Sequence, residues 1–201
     1  MQKEKKMKIF LATKNIGKIN EFKRLVDGKN IEVLSILDSE DIPEVEEDGE
    51  TFEENSQKKA VEIAKYLNMY TISDDSGLCV DYLNGAPGVY SARYSGENAD
   101  DSKNMDKLLK DLEGADKRTA KFVSVVSIAG PDGGVCSYRG EADGEIMRER
   151  HGTNGFGYDP VFFSYELNKC FGEATPEEKK SVSHRAKAFA KLMKEIDSIV
   201  K

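Results

Sequence analysis

Two adjacent carboxylates, Asp74 and Asp75, are the side chains of this sequence best suited to chemistry. They lie between two short runs rich in β-branched and apolar residues, 70–73 and 78–83, and Gly77 follows them closely. This pattern predicts two strands joined by a turn that carries both acids. Carboxylates where a strand ends can hold a divalent cation or take a proton from water. We therefore expect a metal-binding or general-base site at this turn, with a plain turn aspartate as the alternative.

The segment 13–18 (TKNIGK) has the composition of a phosphate-binding loop between a strand and a helix. Thr13, Asn15 and Lys18 offer a hydroxyl, an amide and an ammonium group. A helix N-terminus adds backbone N–H groups that favour anions. The segment is not a Walker A loop, because Ile19 follows Lys18 where that motif requires Ser or Thr. The alternative is an ordinary strand-to-helix turn with an exposed lysine.

An acidic stretch, 46–50, precedes a predicted helix. Thr51 and Glu54 have the spacing of a capping box, which predicts that the helix begins there. Acidic runs are usually solvated surface. This one gains interest because a Mg²⁺ site needs further oxygen ligands beside the acid pair. Lys59, inside the helix, either faces the same site or lies in solvent.

Two later segments have the composition of a nucleobase pocket. The loop 155–160 (GFGYDP) carries Phe156 and Tyr158, which could stack on a base, and an aspartate that could accept from a ring N–H. His184 and Arg185 precede the last helix and could donate to an oxygen-bearing base edge or to a phosphate. The alternatives are aromatic packing within the loop and surface capping of the helix.

The elements that must position these residues alternate between strand and helix early in the chain, and a hairpin follows late. This order predicts an α/β fold with a mixed sheet. Residues 85–94 are too rich in Gly and Pro for a regular element. The predicted strands are 8–12, 31–36, 70–73, 78–83, 120–129, 135–140, 141–147 and 161–163. The predicted helices are 18–26, a long helix capped by Thr51, 105–112 and 183–200.

The composition of the sequence is typical of a soluble globular protein. The 201 residues, with 38% hydrophobic and 33% charged side chains, are ordinary for one soluble domain, 1–201, and we expect residues 1–6 to form a disordered tail. No apolar run approaches the roughly 18 residues of a membrane span. The charged N-terminus is not expected to be a signal peptide. A net charge of −7 argues against a nucleic-acid partner. Three widely spaced cysteines predict neither disulfides nor a zinc site, and indicate a cytoplasmic protein.

The Asp-Ser-Gly sequence at 75–77 also occurs in aspartic proteases, where two such carboxylates share a proton. This chain carries one copy, so a protease would need a dimer. It is also too helical for that all-β class, and we set the protease interpretation aside.

Taken together, the order of the motifs is distinctive, and the chain resembles the inosine/xanthosine triphosphate pyrophosphatase family from Met7 to the last helix. The resemblance rests on residues 13–18, 47–55, 74–78, 85–93, 156–160 and 183–185. Three positions depart from the family pattern, Lys14, His151 and Asn154. They bear on rate and selectivity, since none replaces a catalytic group.

The resemblance implies a role for each matching residue. Asp75 matches the general base and metal-binding acid, supported by Asp74. Glu47 matches the second Mg²⁺ carboxylate, with Glu46 as the alternative by one position. Ser76 matches a substrate contact beside the base. The triphosphate contacts are matched by Thr13, Asn15, Lys18 and Lys59. The nucleoside pocket is matched by Phe156, Gly157, Tyr158, Asp159, Lys179, His184 and Arg185.

The resemblance also implies fold and activity. We expect an elongated, twisted mixed sheet flanked by helices, with two lobes and an active-site cleft between them. The implied enzyme is a cytoplasmic, Mg²⁺-dependent homodimer that hydrolyses ITP, dITP and XTP to the monophosphate and pyrophosphate. A nucleotide-binding sensor without catalysis and a pyrophosphatase acting on other modified triphosphates are the alternatives.

Overall fold

The computed structural model describes residues 6–39, 41–97 and 100–199. Within them the chain forms a seven-stranded sheet with the strand order β2-β1-β3-β4-β5-β6-β7. The strands are β1 (Met7–Leu11), β2 (Ile31–Ser35), β3 (Thr71–Val80), β4 (Thr119–Ala129), β5 (Val135–Ile146), β6 (Phe162–Ser164) and β7 (Lys169–Cys170). The helices are α1 (Ile16–Leu25), α2 (Phe52–Leu67), α3 (Asp101–Asp111), α4 (Pro176–Val182) and α5 (His184–Ile199). Among these residues, none of the helices combines the length and the hydropathy that a transmembrane helix needs.

The sheet is mixed, as predicted. β1 pairs in parallel with β2, from Met7 opposite Ile31 onward, and in parallel with β3 at Phe10 opposite Thr71. β6 pairs antiparallel with both β5 and β7. The helical connections after β1 and β2 are what parallel neighbours require. The prediction of an α/β fold with a mixed sheet is confirmed.

The predicted turn at the acid pair is wrong. β3 runs without interruption from Thr71 to Val80, so Asp74 and Asp75 lie in the middle of a strand, with 2% and 6% of their surface exposed. Gly77 does not end the strand, although glycine weakens strand interiors. The burial of two acids is possible because cationic and amide groups lie beside them, as described below. The predicted division of residues 135–147 into two strands is likewise wrong, since β5 is a single strand.

Several short elements were not predicted. Residues 85–94 contain a 3₁₀ helix, Gly88–Arg93, and a bridge between Cys79 and Pro87, where an irregular segment was predicted. α4 has its own capping box, in which Thr175 and Glu178 bond each other's backbone N–H groups. α3 begins earlier than predicted because Asp100 caps it. Of the predicted disordered tail 1–6, only Lys6 lies within the described residues.

The chain divides into two compact units. Unit 1 comprises the residues up to Asp75, Val125–Tyr138 and the residues from Phe189 onward, and unit 2 comprises Ser76–Ser124 and Arg139–Ala188. One core cluster of unit 1 contains Phe10, Ala12 and Ile63 with partly buried Leu34, Ile36, Ile42, Val45 and Leu67. The larger cluster of unit 2 is built around the tilted rings of Phe122, Phe162 and Phe171. The unit boundary in β3 thus falls between Asp75 and Ser76.

α2 begins as the sequence predicts. The Thr51 hydroxyl accepts from the N–H of Glu54 at 3.1 Å, and the Glu54 carboxylate accepts from the N–H of Thr51 at 3.1 Å. Phe52, Ala60 and Ile63 are buried along one stripe of the helix. The cap fixes where the helix starts, and therefore which of its residues lie against β3.

Replacing Thr51 with Ala removes the hydroxyl that accepts from Glu54. We expect this variant to lose about 1 kcal/mol of unfolding free energy, the usual cost of an N-cap. Thr51→Ser keeps the acceptor and should retain most of the stability. Urea unfolding of both variants measures the difference. Equal midpoints for the Ala and Ser variants would show that the cap contributes nothing here.

Candidate functional site

The predicted site residues form two clusters, one in each unit. The first lies in unit 1, where the loop after β1 meets the acids of β3. Asn15 caps α1, with its side-chain oxygen 3.0 Å from the N–H of Lys18, and the Thr13 hydroxyl accepts from the N–H of Asn15 at 3.2 Å. These bonds hold the loop so that the N-terminus of α1 is available to an anion.

Lys18 reaches back from α1 to β3. Its ammonium group lies 2.9 Å from the carboxylate of Asp74 and also donates to the Asp74 backbone carbonyl at 3.3 Å. The lysine side chain is 17% exposed and the aspartate side chain 2% exposed. A buried acid paired in this way retains its charge at lower cost than an isolated one. The contact fixes Lys18 beside the acid pair.

Asp75 is held in a different environment. The side-chain amide of Asn55, on α2, donates to the Asp75 carboxylate at 3.1 Å. Burial raises the pKa of Asp75 to about 6, against the positive charge of Lys18, and the negative charge of Glu47 raises it as well. A carboxylate with a pKa this close to neutrality can accept a proton from water during a reaction. Asp75 therefore has the properties of a general base.

Glu47 and Lys59 form an ion pair beside the loop after β1. They line a cavity of about 160 Å³ together with Thr13 and Lys14. Glu46, the alternative metal ligand, is exposed. Of the two acids, Glu47 is therefore the one whose contacts place it at the site.

The donor set suits a hard divalent cation. Among the described residues, no cluster of three or more His, Cys, Asp or Glu side chains could hold a metal unaided. Asp75 and Glu47 nevertheless fit Mg²⁺, which commonly binds through one or two carboxylates together with substrate phosphates. Beside burial, the charge of Glu47 raises the pKa of Asp75, so a cation would relieve a repulsion between the two. Asp74 is paired with Lys18, which fits its predicted supporting role.

The second cluster lies in unit 2 and is organised by Asp159. Its buried carboxylate accepts from the N–H of Phe156 at 2.8 Å and from the ammonium of Lys179 at 2.7 Å. Gly155 has φ +80°, and a Cβ there would lie 2.0 Å from the Asp159 carboxylate. Lys179 also lies over the ring of Phe156, 5.6 Å from its centre. The loop is thus shaped around one buried acid.

Two further contacts fix the loop. The N–H of Gly157 donates to the carboxylate of Asp101 at 2.7 Å. The Tyr158 hydroxyl, inside the core, donates to the Ser91 carbonyl at 2.7 Å, and the Ser91 hydroxyl accepts from the N–H of Leu78 in β3. Tyr158 is therefore held within the core, whereas the Phe156 ring is only half-buried and lies beside Lys179 and Arg185.

His184 and Arg185 begin α5. The His184 ring stacks on Phe122, 4.8 Å between centres and 12° between planes. Arg185 donates to the Ser76 hydroxyl at 2.8 Å and lies over the Phe156 ring at 5.7 Å. Gly140 permits this start of the helix, since a Cβ there would lie 2.1 Å from the His184 carbonyl.

The structure gathers Thr13, Asn15, Lys18, Glu47, Lys59, Asp74 and Asp75 in unit 1, and Ser76, Phe156, Gly157, Tyr158, Asp159, Lys179, His184 and Arg185 in unit 2. Asn55, Ser91 and Asp101 had no predicted role. For Asn55 a signal exists, because positions 55 and 59 lie on one helical face. Asn154 donates to the carbonyls of Gly172 and Ala174, so this departure from the family pattern serves the loop's conformation.

The raised pKa of Asp75 predicts a pH-dependent cost to stability. The folded state holds this proton more tightly than the unfolded chain, so wild-type stability falls as pH rises through about 6. Asp75→Asn mimics the neutral form. We expect the metal-free variant to exceed wild type by up to about 3 kcal/mol of unfolding free energy at about pH 8, and the two to converge below about pH 4.

Denaturant unfolding across pH measures this difference, with Asp27→Asn as an exposed control. The control should track wild type at every pH. A variant less stable than wild type throughout the range would contradict the assignment of a raised pKa.

Comparison with known proteins now identifies the family. The model of the Ham1 family matches residues 9–195. The chain is 50% identical to a Desulfotalea psychrophila protein named dITP/XTP pyrophosphatase, covering 96% of this chain and 86% of that one. It is 49% identical to a Listeria monocytogenes (EGD-e) protein of the same name, covering 96% of each.

Solved structures agree. The Ham1 protein of Staphylococcus aureus superposes with a TM-score of 0.82 at 42% identity, covering 96% of this chain and 99% of that one. A HAM1 protein from Coxiella burnetii gives a TM-score of 0.86 at 37% identity, with the same coverage. The chain therefore belongs to the Ham1 family.

Proposed function

We propose that this protein hydrolyses the nucleoside triphosphates of hypoxanthine and xanthine, ITP, dITP and XTP, to the monophosphate and pyrophosphate, and so removes them from the nucleotide pool. The observation that carries the proposal is the buried Asp75 carboxylate, which accepts from Asn55 and lies near Lys18, Lys59 and a second acid, Glu47. A binding protein needs no such base. The names of the similar proteins from Desulfotalea and Listeria support the same substrates.

In the proposed reaction, water attacks the α-phosphorus and pyrophosphate leaves. Asp75 orients the water and accepts its proton. Lys18 and Lys59 stabilise the charge that develops on the leaving pyrophosphate, and the loop 13–18 holds the phosphates at the N-terminus of α1. Bound Mg²⁺, held by Asp75 and Glu47, would supply neutralisation of phosphate charge. A covalent nucleophile is not required.

Selectivity is proposed to come from donors at the start of α5. Hypoxanthine and xanthine carry oxygen at ring position 6, whereas adenine carries an amino group. His184 and Arg185 can donate to that oxygen, whereas adenine would set its own amino group against these donors, at a cost of roughly 1–3 kcal/mol for each lost bond. Guanine shares the 6-oxygen, so rejecting it requires a penalty on its 2-amino group.

The cation, the oligomeric state, the location and the binding partners are also proposed. Mg²⁺ is the expected cation because the donor set is two carboxylates. A homodimer and a cytoplasmic location are expected from the resemblance of the sequence to its family. A purine nucleoside triphosphate is the expected partner, and neither nucleic acid nor membrane is expected to bind.

The reaction is tested by pyrophosphate release from ITP, XTP, GTP and ATP with and without Mg²⁺. We expect release from ITP and XTP that requires the metal. Asp75→Asn should lower it by at least about a hundredfold, the scale of a lost general base. Equal release from all four substrates would keep the chemistry and remove the proposed selectivity. Binding of ITP without release would indicate the sensor instead.

The donor hypothesis makes a separate prediction. Arg185→Ala should reduce the ratio of kcat/KM for ITP to that for ATP by about tenfold or more, because a buried donor to the 6-oxygen is lost. Arg24→Ala, on the exposed face of α1, is the matched control and should leave the ratio unchanged. An unaltered ratio in Arg185→Ala would show that another group reads position 6.

A further inference from the structure

Asn55 joins two parts of the acid cluster that the proposed reaction needs together. It lies in the first turn of α2 and is 2% exposed. Its amide nitrogen donates to the Asp75 carboxylate at 3.1 Å, and its oxygen accepts from the N–H of Gly49 at 2.8 Å. The same nitrogen lies 3.4 Å from the Gly49 carbonyl. One side chain thus contacts the strand that carries the base and the segment that carries Glu47.

The chemistry at this position requires a carboxamide. The Gly49 N–H needs an acceptor, and the Asp75 carboxylate needs a donor. Asparagine offers one of each on adjacent atoms. An aspartate in its place would keep the acceptor but set a second carboxylate against Asp75. An apolar residue would remove both bonds, from the buried Asp75 carboxylate and from the half-buried Gly49 N–H.

Gly49 lets the backbone approach the amide closely. A Cβ at this position would lie 2.8 Å from the Asn55 side-chain oxygen and 2.8 Å from the Glu54 Cβ. Such contacts are shorter than van der Waals packing allows, so the segment would have to move. The segment that carries Glu47 can therefore lie against the start of α2 only because residue 49 has no side chain.

Glu47 is held from the same helix. Lys59 lies one turn after Asn55 and pairs with the Glu47 carboxylate. Residues four apart share a helical face. Asn55 fixes the backbone two residues after Glu47, and Lys59 fixes its side chain. Through these two side chains, α2 holds Glu47 in a fixed position relative to Asp75.

We propose that Asn55 is a positioning residue, which together with Gly49 holds the Glu47 segment against Asp75 and so sets the separation of the two carboxylates that bind the cation. The proposal rests on the cation site of the proposed function. It adds that the strength of cation binding is set by a neutral amide that is not itself a ligand. Residues that orient ligands in this way commonly change metal affinity by about 10–100-fold when replaced.

The test measures the carboxylate pair without turnover. Mn²⁺ replaces Mg²⁺, and its binding to the nucleotide-free protein is followed by electron paramagnetic resonance. Hydrogen exchange of residues 46–50 is followed in the metal-free protein. The variants are Asn55→Ala, and Gly49→Ala, which moves the segment without altering Asn55 or any charge. One matched control is Asn20→Ala, at an exposed position of α1. The other is Gly134→Ala in the β4–β5 turn, where a Cβ would lie 3.4 Å from the nearest atom, an ordinary contact distance.

We expect both test variants to weaken Mn²⁺ binding by about tenfold or more and to speed exchange of 46–50, with both controls at wild-type values. Turnover of ITP should show a lower kcat with KM changed by less than about twofold. Wild-type Mn²⁺ affinity and exchange in Gly49→Ala and in Asn55→Ala would overturn the inference. If Asn55→Ala does not fold, Gly49→Ala decides alone.

Different results would overturn the proposed function and the proposed role of Asn55. Wild-type protein that releases no pyrophosphate from ITP overturns the proposed function, while the Mn²⁺ and exchange results still decide the role of Asn55. Active wild type with unaffected variants overturns the inference and leaves the proposed function standing.

Discussion

Two adjacent carboxylates in the middle of a buried strand lose hydration, and ionised acids in such a place are costly unless cations and donors accompany them. Asp74 and Asp75 receive these partners from two helices, Lys18 from α1 and the amide of Asn55 from α2. The loop after β1 and the capping box of α2 therefore serve the acids as well as the fold. These partners do not offset the full cost of burial at Asp75, so its pKa is raised to about 6, which suits the role of base proposed for it.

In unit 2, polar side chains hold a glycine-rich loop in one conformation through hydrogen bonds. Acids do this by accepting from backbone N–H groups: the buried Asp159 accepts from Phe156, and the exposed Asp101 accepts from Gly157. Glycine at 155 permits the close approach of Asp159. In unit 1 Gly49 lies similarly against Asn55. In both units the glycines mark where polar side chains hold the backbone of a functional segment.

Much of this arrangement was predictable from the sequence. The strand–helix alternation gave the mixed sheet, and the Thr51–Glu54 spacing located α2, because these signals are local. The turn predicted at Asp74–Asp75 was wrong because the burial of acids depends on Lys18 and Asn55, which come from distant segments. The roles of Asn55 and Asp101 were missed for the same reason, since their hydrogen bonds span 20 and 56 residues. Helical spacing places Asn55 on the face of Lys59, but it does not identify Asp75 as its partner.

In the proposed reaction water attacks the α-phosphorus directly, with Asp75 as its base. Single-turnover hydrolysis of ITP in H₂¹⁸O, with mass analysis of both products, locates the point of attack. We expect one ¹⁸O atom in the monophosphate and none in pyrophosphate. Label in the pyrophosphate would contradict it, because the oxygen would then have entered at the β-phosphorus.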